Sequence, residues 1–186
     1  MENLKNAMRE ELKYIFANIN DWLKFAEAKH GALITFNVAT IFGIFQIIEK
    51  LNEKEQFYKI AFIIVIALLI VSILVSLYSF IPITRPKPDC MSKEDFERKR
   101  EGLNILFYKD VHNLNCHQVI ELMKLNLGEN KDMNGFDEKL AIQIVNNARI
   151  TYQKFSLFHT GGWFTWIGIF GFVFLLVLKY VFKINL

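Results

Sequence analysis

Charged residues are absent from three long stretches of the sequence. Residues 30–48, 60–84 and 155–178 contain no Asp, Glu, Lys or Arg, although 22% of the 186 residues are charged. At a rise of about 1.5 Å per residue, each stretch can cross a hydrocarbon core about 30 Å thick. A soluble helical protein interrupts such runs to keep a wet face, so the pattern argues against a soluble fold and predicts three transmembrane helices.

Proline, glycine and cysteine are also scarce, with three, nine and two residues respectively. All three prolines fall between residues 82 and 88, where they stop a helix and space the following segment from the membrane. Residues 2–29 contain neither Gly nor Pro and repeat apolar residues every three or four positions, which predicts an amphipathic helix that continues into the first apolar run. Cys90 and Cys116 belong to no CxxC motif, so we expect no disulfide.

The motifs of common enzymes are missing as well. There is no GxGxxG, P-loop, GxSxG or HExxH, so we expect no catalytic residues and no enzymatic activity. His112, Cys116 and His117, together with Cys90, come nearest to a zinc set, and an enzyme built on them is the weakest hypothesis. Their spacing fits no common zinc motif, and adjacent helical residues point to different faces, so we favour ordinary packing and expect no metal.

Lysine and arginine are distributed unevenly around the apolar runs. Twelve flank the runs on the side of the N-terminus and of the segment between the second and third runs, and five flank them on the other side. This bias predicts a cytoplasmic N-terminus and explains the net charge of +3, so we expect no nucleic-acid partner. The predicted fold is an all-α integral membrane protein with a small, mainly helical cytoplasmic domain between spans two and three. The expected boundaries are a cytoplasmic amphipathic helix at 1–30, spans at 31–48, 60–81 and 159–182, external segments at 49–59 and 183–186, and the cytoplasmic domain at 82–158.

Local signals divide the cytoplasmic segment. Ser92 followed by Asp95 resembles a capping box and predicts a helix start. Residues 103–108 have the pattern of a short strand or of a buried turn. Asn115 is expected to cap a second helix that runs through Leu125, and a last helix leads from about residue 136 into the third span.

One polar stripe enters the first apolar run. At about 100° per residue, Glu27, His30 and Asn37 fall within a sector of about 80°, while Lys29 points elsewhere and is free to reach headgroups. An amide facing lipid would lose its hydrogen bonds, so Asn37 should face another helix or water. Two interpretations stay open. Asn37 is a polar contact between helices with Glu27 and His30 as interfacial caps, or copies of the stripe line a water path in a homo-oligomer.

Small residues line one face of the second and third runs, where backbones can approach closely. Such faces form contacts within one chain or between chains. The residues are Ala61, Ser72, Ser76 and Ser79 in the second run, and Thr165, Gly168 and Gly171 in the third.

The start of the first span resembles a known family. In the segment FAEAKHGALITFNVATIFG, at 25–43, an acidic residue and a lysine separated by one small residue precede an apolar helix that carries an asparagine. These positions are Glu27, Lys29 and Asn37. The pattern resembles the first transmembrane element of the membrane effectors of bacterial pyrimidine cyclase anti-phage (Pycsar) systems, in which the acidic residue is often Asp.

Two further segments are similar to the same family, and the resemblance covers about residues 20–182. EGLNILFYKDVHNL, at 101–114, is similar to the family's segment after the second span, with Asn104, Phe107 and Asp110 at the matching positions. QIVNNARITYQKFSLFHTGGWF, at 143–164, is similar to the helix that leads into the last span and carries a lysine, here Lys154.

The resemblance implies a defence effector in the bacterial inner membrane. In such systems a partner nucleotide cyclase makes a cyclic pyrimidine nucleotide on infection, and the effector then impairs the membrane in abortive infection. We therefore expect contact with the lipid bilayer, homo-oligomerisation and no resident cofactor, with the cyclic nucleotide as the activating ligand. A nucleotide phosphate would seek cations such as Arg98, Lys99 and Arg100, which the positive-inside bias also explains. The alternative is a non-conducting membrane anchor or scaffold that recruits a cytoplasmic enzyme.

Overall fold

The structure, a computed structural model, describes residues 2–82, 90–127 and 135–181, without the side chains of residues 2–8, 54 and 181. All regular secondary structure in these residues is helical. The α-helices are α1 (Glu2–Ile48), α2 (Gln56–Tyr78), α3 (Lys93–Lys99), α4 (Tyr108–Val111), α5 (Cys116–Leu127) and α6 (Gly135–Leu176). Short 3₁₀ helices occupy Glu53–Glu55 and Arg100–Gly102, and a π-helical turn follows α6 at Val177–Val181.

Three helices are long and apolar enough to cross a membrane, which confirms the expectation of three spans. They lie at Arg9–Ile48, Gln56–Tyr78 and Gly135–Tyr180. The amphipathic segment and the first span form one continuous helix, α1, as the lack of Gly and Pro before residue 30 predicts. The orientation of these helices in the membrane stays a prediction, and the segments at 83–89 and 183–186 lie outside the described residues.

The chain divides into two compact units. The first, which we call the helical domain, comprises Met1–Ala26 and Ile83–Phe155. The second, which we call the membrane domain, comprises Glu27–Pro82 and Ser156–Leu186. The divisions fall after residues 26, 82 and 155, and the assignment of these segments to membrane and cytoplasm stays a prediction. Both α1 and α6 contribute residues to each domain.

The helical domain is built round its own apolar core. The first part of α1 contributes Leu12, Ile15 and Ile19, each at most 2% exposed, at the spacing that places them on one helical face. Residues of α3 to α6 and of the connection between α4 and α5 complete this core: Phe96, Val111, Leu114, Val119, Leu122, Met123, Ala141, Ile144, Val145 and Ala148.

Capping side chains set where the short helices begin. Ser92 Oγ accepts the backbone N–H of Asp95 at 3.1 Å, which confirms the predicted start of α3. Asn115 Oδ1 accepts the N–H of Gln118 at 2.9 Å, and Gln118 Oε1 accepts the N–H of Asn115 at 2.9 Å. This reciprocal box starts α5, which runs to Leu127, two residues beyond the predicted end. Residues 103–107 are irregular with a turn at 105–106, and Tyr108 begins α4, so the alternative of a strand there is wrong.

The membrane domain has a second apolar core near the loop between α1 and α2. Ile44, Tyr58 and Phe62 are fully buried in it, and Leu175 of α6 is 8% exposed. In the same domain Lys179 Nζ lies 2.6 Å from Glu55 Oε1. This ion pair first, and the N–H of Asn52 second, hold the pKa of Glu55 below its ordinary value of 4.5.

Candidate functional site in the membrane domain

Three polar side chains, one from each span, form a closed ring. Asn37 of α1 donates from Nδ2 to Ser72 Oγ of α2 at 2.9 Å. The Ser72 hydroxyl lies 2.8 Å from the hydroxyl of Thr165 of α6, which in turn donates to Asn37 Oδ1 at 3.0 Å. We call these three residues the polar ring. It joins α1, α2 and α6 through side-chain hydrogen bonds alone.

The three hydrogen bonds of the polar ring can all run in the same direction around it. If Asn37 donates to Ser72, Ser72 to Thr165, and Thr165 back to Asn37, each hydroxyl donates once and accepts once. The Gly161 carbonyl is an alternative acceptor, 2.8 Å from Ser72 Oγ and 3.3 Å from Thr165 Oγ1. Hydrogen bonds that run in one direction polarise each other, and this strengthens each bond where the local dielectric is low.

The polar ring is buried within a single chain. The exposed fraction is 0% for Asn37 and Ser72 and 6% for Thr165. Asn37 therefore faces the other two spans, where its amide meets groups that can pair with it in place of lipid. This geometry is that of a contact between helices. A place for Asn37 in the lumen of an assembly stays a prediction.

The other residues of the stripe contact protein near the polar ring. His30 is fully buried and lies edge-to-face with Phe158, with 5.6 Å between ring centroids, and 6.2 Å from the Phe80 ring. Lys29 Nζ lies 5.4 Å from the centroid of Phe158, in a cation–π contact. Lys29 is thus engaged with α6, contrary to the expectation of a side chain free to reach headgroups. Glu27 is half-buried.

Small residues let α6 approach α2 closely beside the polar ring. A Cβ at Gly161 would lie 3.4 Å from the Ser72 backbone oxygen, and one at Gly168 would lie 3.0 Å from Leu69 Cδ2. Larger side chains at these positions would force the helices or the neighbouring side chains to shift. The small-residue faces of spans two and three therefore pack against each other within one chain.

A cluster of aromatic rings occupies the helical domain, and each segment of the family resemblance contributes to it, the first through Phe25, whose centroid lies 6.3 Å from that of Phe155. Tyr108 stacks on Phe155 with 4.9 Å between centroids, and Trp22 lies 5.5 Å from Tyr108 and 6.0 Å from Phe107. Burial, with the charge of Tyr152 second, raises the pKa of Tyr108 above its ordinary value of 10.0. The cluster connects α1, the start of α4 with the residue before it, and α6 within the helical domain.

The polar family positions shape the turn that carries Phe107. Asn104 Oδ1 accepts the N–H of Leu106 at 2.9 Å, and Asp110 Oδ2 accepts the N–H of Asn104 at 3.0 Å. Such side-chain bonds to the backbone substitute for regular secondary structure. Lys154, the remaining family position, is 5% exposed. These contacts give Asn104 and Asp110 a structural role, and any role in signalling stays a prediction.

Two of the three cations considered for phosphate binding are paired with carboxylates. Arg98 forms an ion pair with Asp95, and Arg100 Nη1 lies 3.0 Å from Glu97 Oε2. Lys99 is exposed on α3. A phosphate would compete with these carboxylates for the two arginines, so the geometry does not favour a nucleotide site built on these residues.

The residues considered for zinc are split by the fold. His112 Nδ1 lies 2.5 Å from the Lys109 carbonyl oxygen, and its ring stacks on Tyr152 with 3.8 Å between centroids. Cys90 Sγ accepts from Arg149 at 3.3 Å. Neither joins Cys116 and His117. Cys116 and His117 are adjacent on α5, and although neighbouring helical residues differ in direction, their ligand atoms lie within 4.8 Å of each other at the first turn of the helix.

Ser72 and Thr165 are the functional candidates that the sequence pattern did not identify as partners of Asn37. Both stand out in the sequence as small residues on helix faces. A stronger signal was present, because each apolar run carries a hydroxyl or amide residue well inside it, and such groups require partners in a membrane.

The fold and the polar ring define a multi-pass α-helical membrane protein whose spans are joined by buried polar contacts. The family model of the Pycsar effector protein domain matches residues 11–181. The chain therefore belongs to the Pycsar effector family, as the three segments indicate, and this family implies an anti-phage effector role. The family is not known for catalysis. No curated protein and no solved structure matches the chain.

Proposed function

We propose that this protein is the membrane-disrupting effector of a Pycsar-type system. Its trigger is a cyclic pyrimidine nucleotide made by a partner cyclase, acting on the helical domain directly or through another protein. Activation rearranges the three spans in a homo-oligomer, impairs the bacterial inner membrane and causes abortive infection. The N-terminus and the helical domain lie in the cytoplasm, in agreement with the bias of lysine and arginine.

The observation that carries this proposal is the polar ring. Its groups bond to one another inside a single chain, so in this arrangement none of the three side chains is turned toward a polar path through the membrane. Opening a path requires these bonds to be exchanged for bonds to water or to a neighbouring chain. The polar ring thus acts as a latch, by which we mean that its hydrogen bonds stabilise the closed arrangement of the spans relative to the open one.

The energy of the hydrogen bonds in this latch is of a size that a ligand-driven change between two arrangements can overcome. Hydrogen bonds between membrane helices contribute about 0.6 kcal/mol on average and at most about 1.7. A trigger that drives a two-state protein from mostly closed to mostly open needs a differential binding energy of about 5.5 kcal/mol. The latch is therefore weak enough for a ligand to overcome and strong enough to influence the resting population.

Permeability measured in cells tests the proposal. Wild type and Thr165→Val would be expressed with the cyclase under graded induction, and membrane potential and dye entry recorded. Valine keeps the shape of threonine and removes its hydroxyl. We expect Thr165→Val to depolarise cells at a nucleotide concentration at least about fivefold lower than wild type, which corresponds to the lower end, about 1 kcal/mol per chain, of the energy of its two contacts. Thr160→Val is the matched control, since Thr160 is exposed on the same helix and bonds only to its own helix at Ser156.

Asn37→Leu separates the two roles considered for the amide. If the Asn37 amide only stabilises the closed arrangement, the variant opens at a lower nucleotide concentration and reaches the wild-type permeability. If Asn37 also lines the open path, the activated variant conducts less than wild type. Absence of any permeability change in wild type, despite nucleotide accumulation and phage resistance, would instead establish the non-conducting scaffold.

A further inference from the structure

Three potential metal ligands of different chemistry converge in the helical domain. Cys116 and His117 open α5, and Glu138 lies in the first turn of α6. The thiol sulfur, an imidazole nitrogen and a carboxylate oxygen all lie within 4.8 Å of one another. Twenty residues of sequence lie between His117 and Glu138, so the cluster joins two helices that no local sequence pattern relates.

Charged side chains near the cluster are paired with one another, whereas the three clustered side chains are not paired with other described residues. Asp137 pairs with Arg9 at 3.3 Å, and Arg100 lies near both Glu97 and Glu121. Within the described part of the chain, no hydrogen bond or ion pair engages the side chains of the three clustered residues. Their ligand atoms are therefore available without breaking an existing interaction.

The distances are compatible with a metal site. Bonds of about 2.0–2.3 Å to a tetrahedral zinc ion place ligand atoms about 3.4 Å apart. Because the ligand atoms lie within 4.8 Å of one another, closing each pair to the zinc-bound spacing needs at most about 1.4 Å. His117 and Glu138 are exposed and free to make this movement by rotation, while Cys116 is half-buried against the apolar core.

The three types of ligand atom favour zinc over calcium and magnesium. A thiolate with an imidazole and one carboxylate suits zinc, which accepts sulfur, nitrogen and oxygen donors. Calcium and magnesium require sets made of oxygen ligands and are disfavoured by the thiolate. With three protein ligands, a fourth position is left for water. His117 also lines an open groove of about 460 Å³, so its side chain is accessible to solvent.

We propose that Cys116, His117 and Glu138 form a zinc site that fastens the start of α6 to the start of α5. Binding closes the chain from His117 to Glu138 into a metal-bridged loop and stabilises the helical domain. Zinc therefore favours the arrangement of the helical domain described here over any arrangement in which the two helix starts separate. This inference does not rest on the proposed membrane-disrupting function.

Cobalt binding to the purified full chain in detergent tests the site, under reducing conditions and after metal removal. A cobalt–thiolate bond gives a charge-transfer band in the near ultraviolet, and zinc should abolish it by displacement. The chain has two cysteines, so each serves as the control for the other. We expect the band in wild type and in Cys90→Ser, and its loss in Cys116→Ser.

Carboxylate variants give a second measure that does not depend on the thiol. Glu138→Gln should weaken cobalt binding about tenfold or more, whereas Glu121→Gln, one turn along α5 from His117, should leave it unchanged. Zinc should raise the melting temperature of wild type and Cys90→Ser but not of Cys116→Ser. Because Glu138 is exposed, its variant should fold even if Cys116→Ser does not. Absence of the band in wild type, its survival in Cys116→Ser, or equal binding by the two glutamine variants would overturn the proposal.

Discussion

Replacing Thr165 with valine measures what the polar ring contributes to the packing of the spans. The hydroxyl takes part in two of the three ring contacts, at 2.8 Å from Ser72 Oγ and 3.0 Å from Asn37 Oδ1. Valine preserves the volume, so the change leaves no cavity and removes only polar contacts. At about 0.6–1.7 kcal/mol per hydrogen bond between membrane helices, we expect a loss of about 1–3 kcal/mol.

The assay is reversible unfolding of the solubilised protein in mixed micelles, followed by the fluorescence of its three tryptophans. Thr160→Val should change the free energy of unfolding by no more than about 0.5 kcal/mol, because an exposed hydroxyl bonded within its own helix makes no contact between helices. The comparison of the two valine variants cancels differences in helix propensity.

A double-mutant cycle isolates the contact between Asn37 and Thr165. The single variants Asn37→Leu and Thr165→Val and the double variant should give a coupling energy of about 0.6–1.7 kcal/mol. A coupling energy near zero, or equal effects of valine at positions 160 and 165, would refute the view that the ring holds the spans together. In that case apolar packing alone would account for the association of the spans.

Three further predictions concern other parts of the fold. Gly168→Ala should be less stable than Gly162→Ala by about 1 kcal/mol in the same unfolding assay. The reason is that a Cβ at Gly168 would lie 3.0 Å from Leu69, whereas one at Gly162 would have nothing within 4 Å. Equal stabilities of the two variants would contradict close packing at Gly168. The pKa of Tyr108 is raised above 10.0 by burial, so the stability due to its neutral form is complete below pH 10.0 and is lost as the pH rises through the folded-state value. Melting temperatures of wild type should thus fall more steeply above pH 10.0 than those of Tyr108→Phe, and parallel curves would count against this. Ser92→Ala should cost about 1 kcal/mol in chemical unfolding through loss of the α3 cap, and a neutral effect would show that the cap is dispensable.

Features encoded by neighbouring residues were predictable from the sequence. The absence of charge fixes the three spans, and the absence of Gly and Pro before residue 30 makes α1 continuous. The caps at Ser92 and Asn115 depend on residues three positions away. In each case the interaction that stabilises the element lies within one or two helical turns, so a short window of sequence contains it.

The partners within the polar ring were not predictable in this way. Helical periodicity shows that Asn37 needs a polar partner, but Ser72 and Thr165 are 35 and 128 residues away. The same limit applies to the pair of Arg9 and Asp137, also 128 residues apart. Which faces of distant helices meet is decided by the packing of many side chains, and no spacing rule in a single sequence contains that information.

The same valine variant can also report how many chains open together. In a concerted transition of n chains, weakening the closed state by about 1 kcal/mol per chain lowers the half-effective nucleotide concentration about fivefold, whatever n is, when the trigger binds only the open form. The basal open fraction, by contrast, rises about fivefold for each chain, which is about 600-fold for four chains. Basal leak of Thr165→Val without nucleotide, divided by its shift in threshold, therefore measures the cooperative unit. A basal leak that rises only about fivefold would mean that each chain opens alone, and homo-oligomerisation would then play no part in activation.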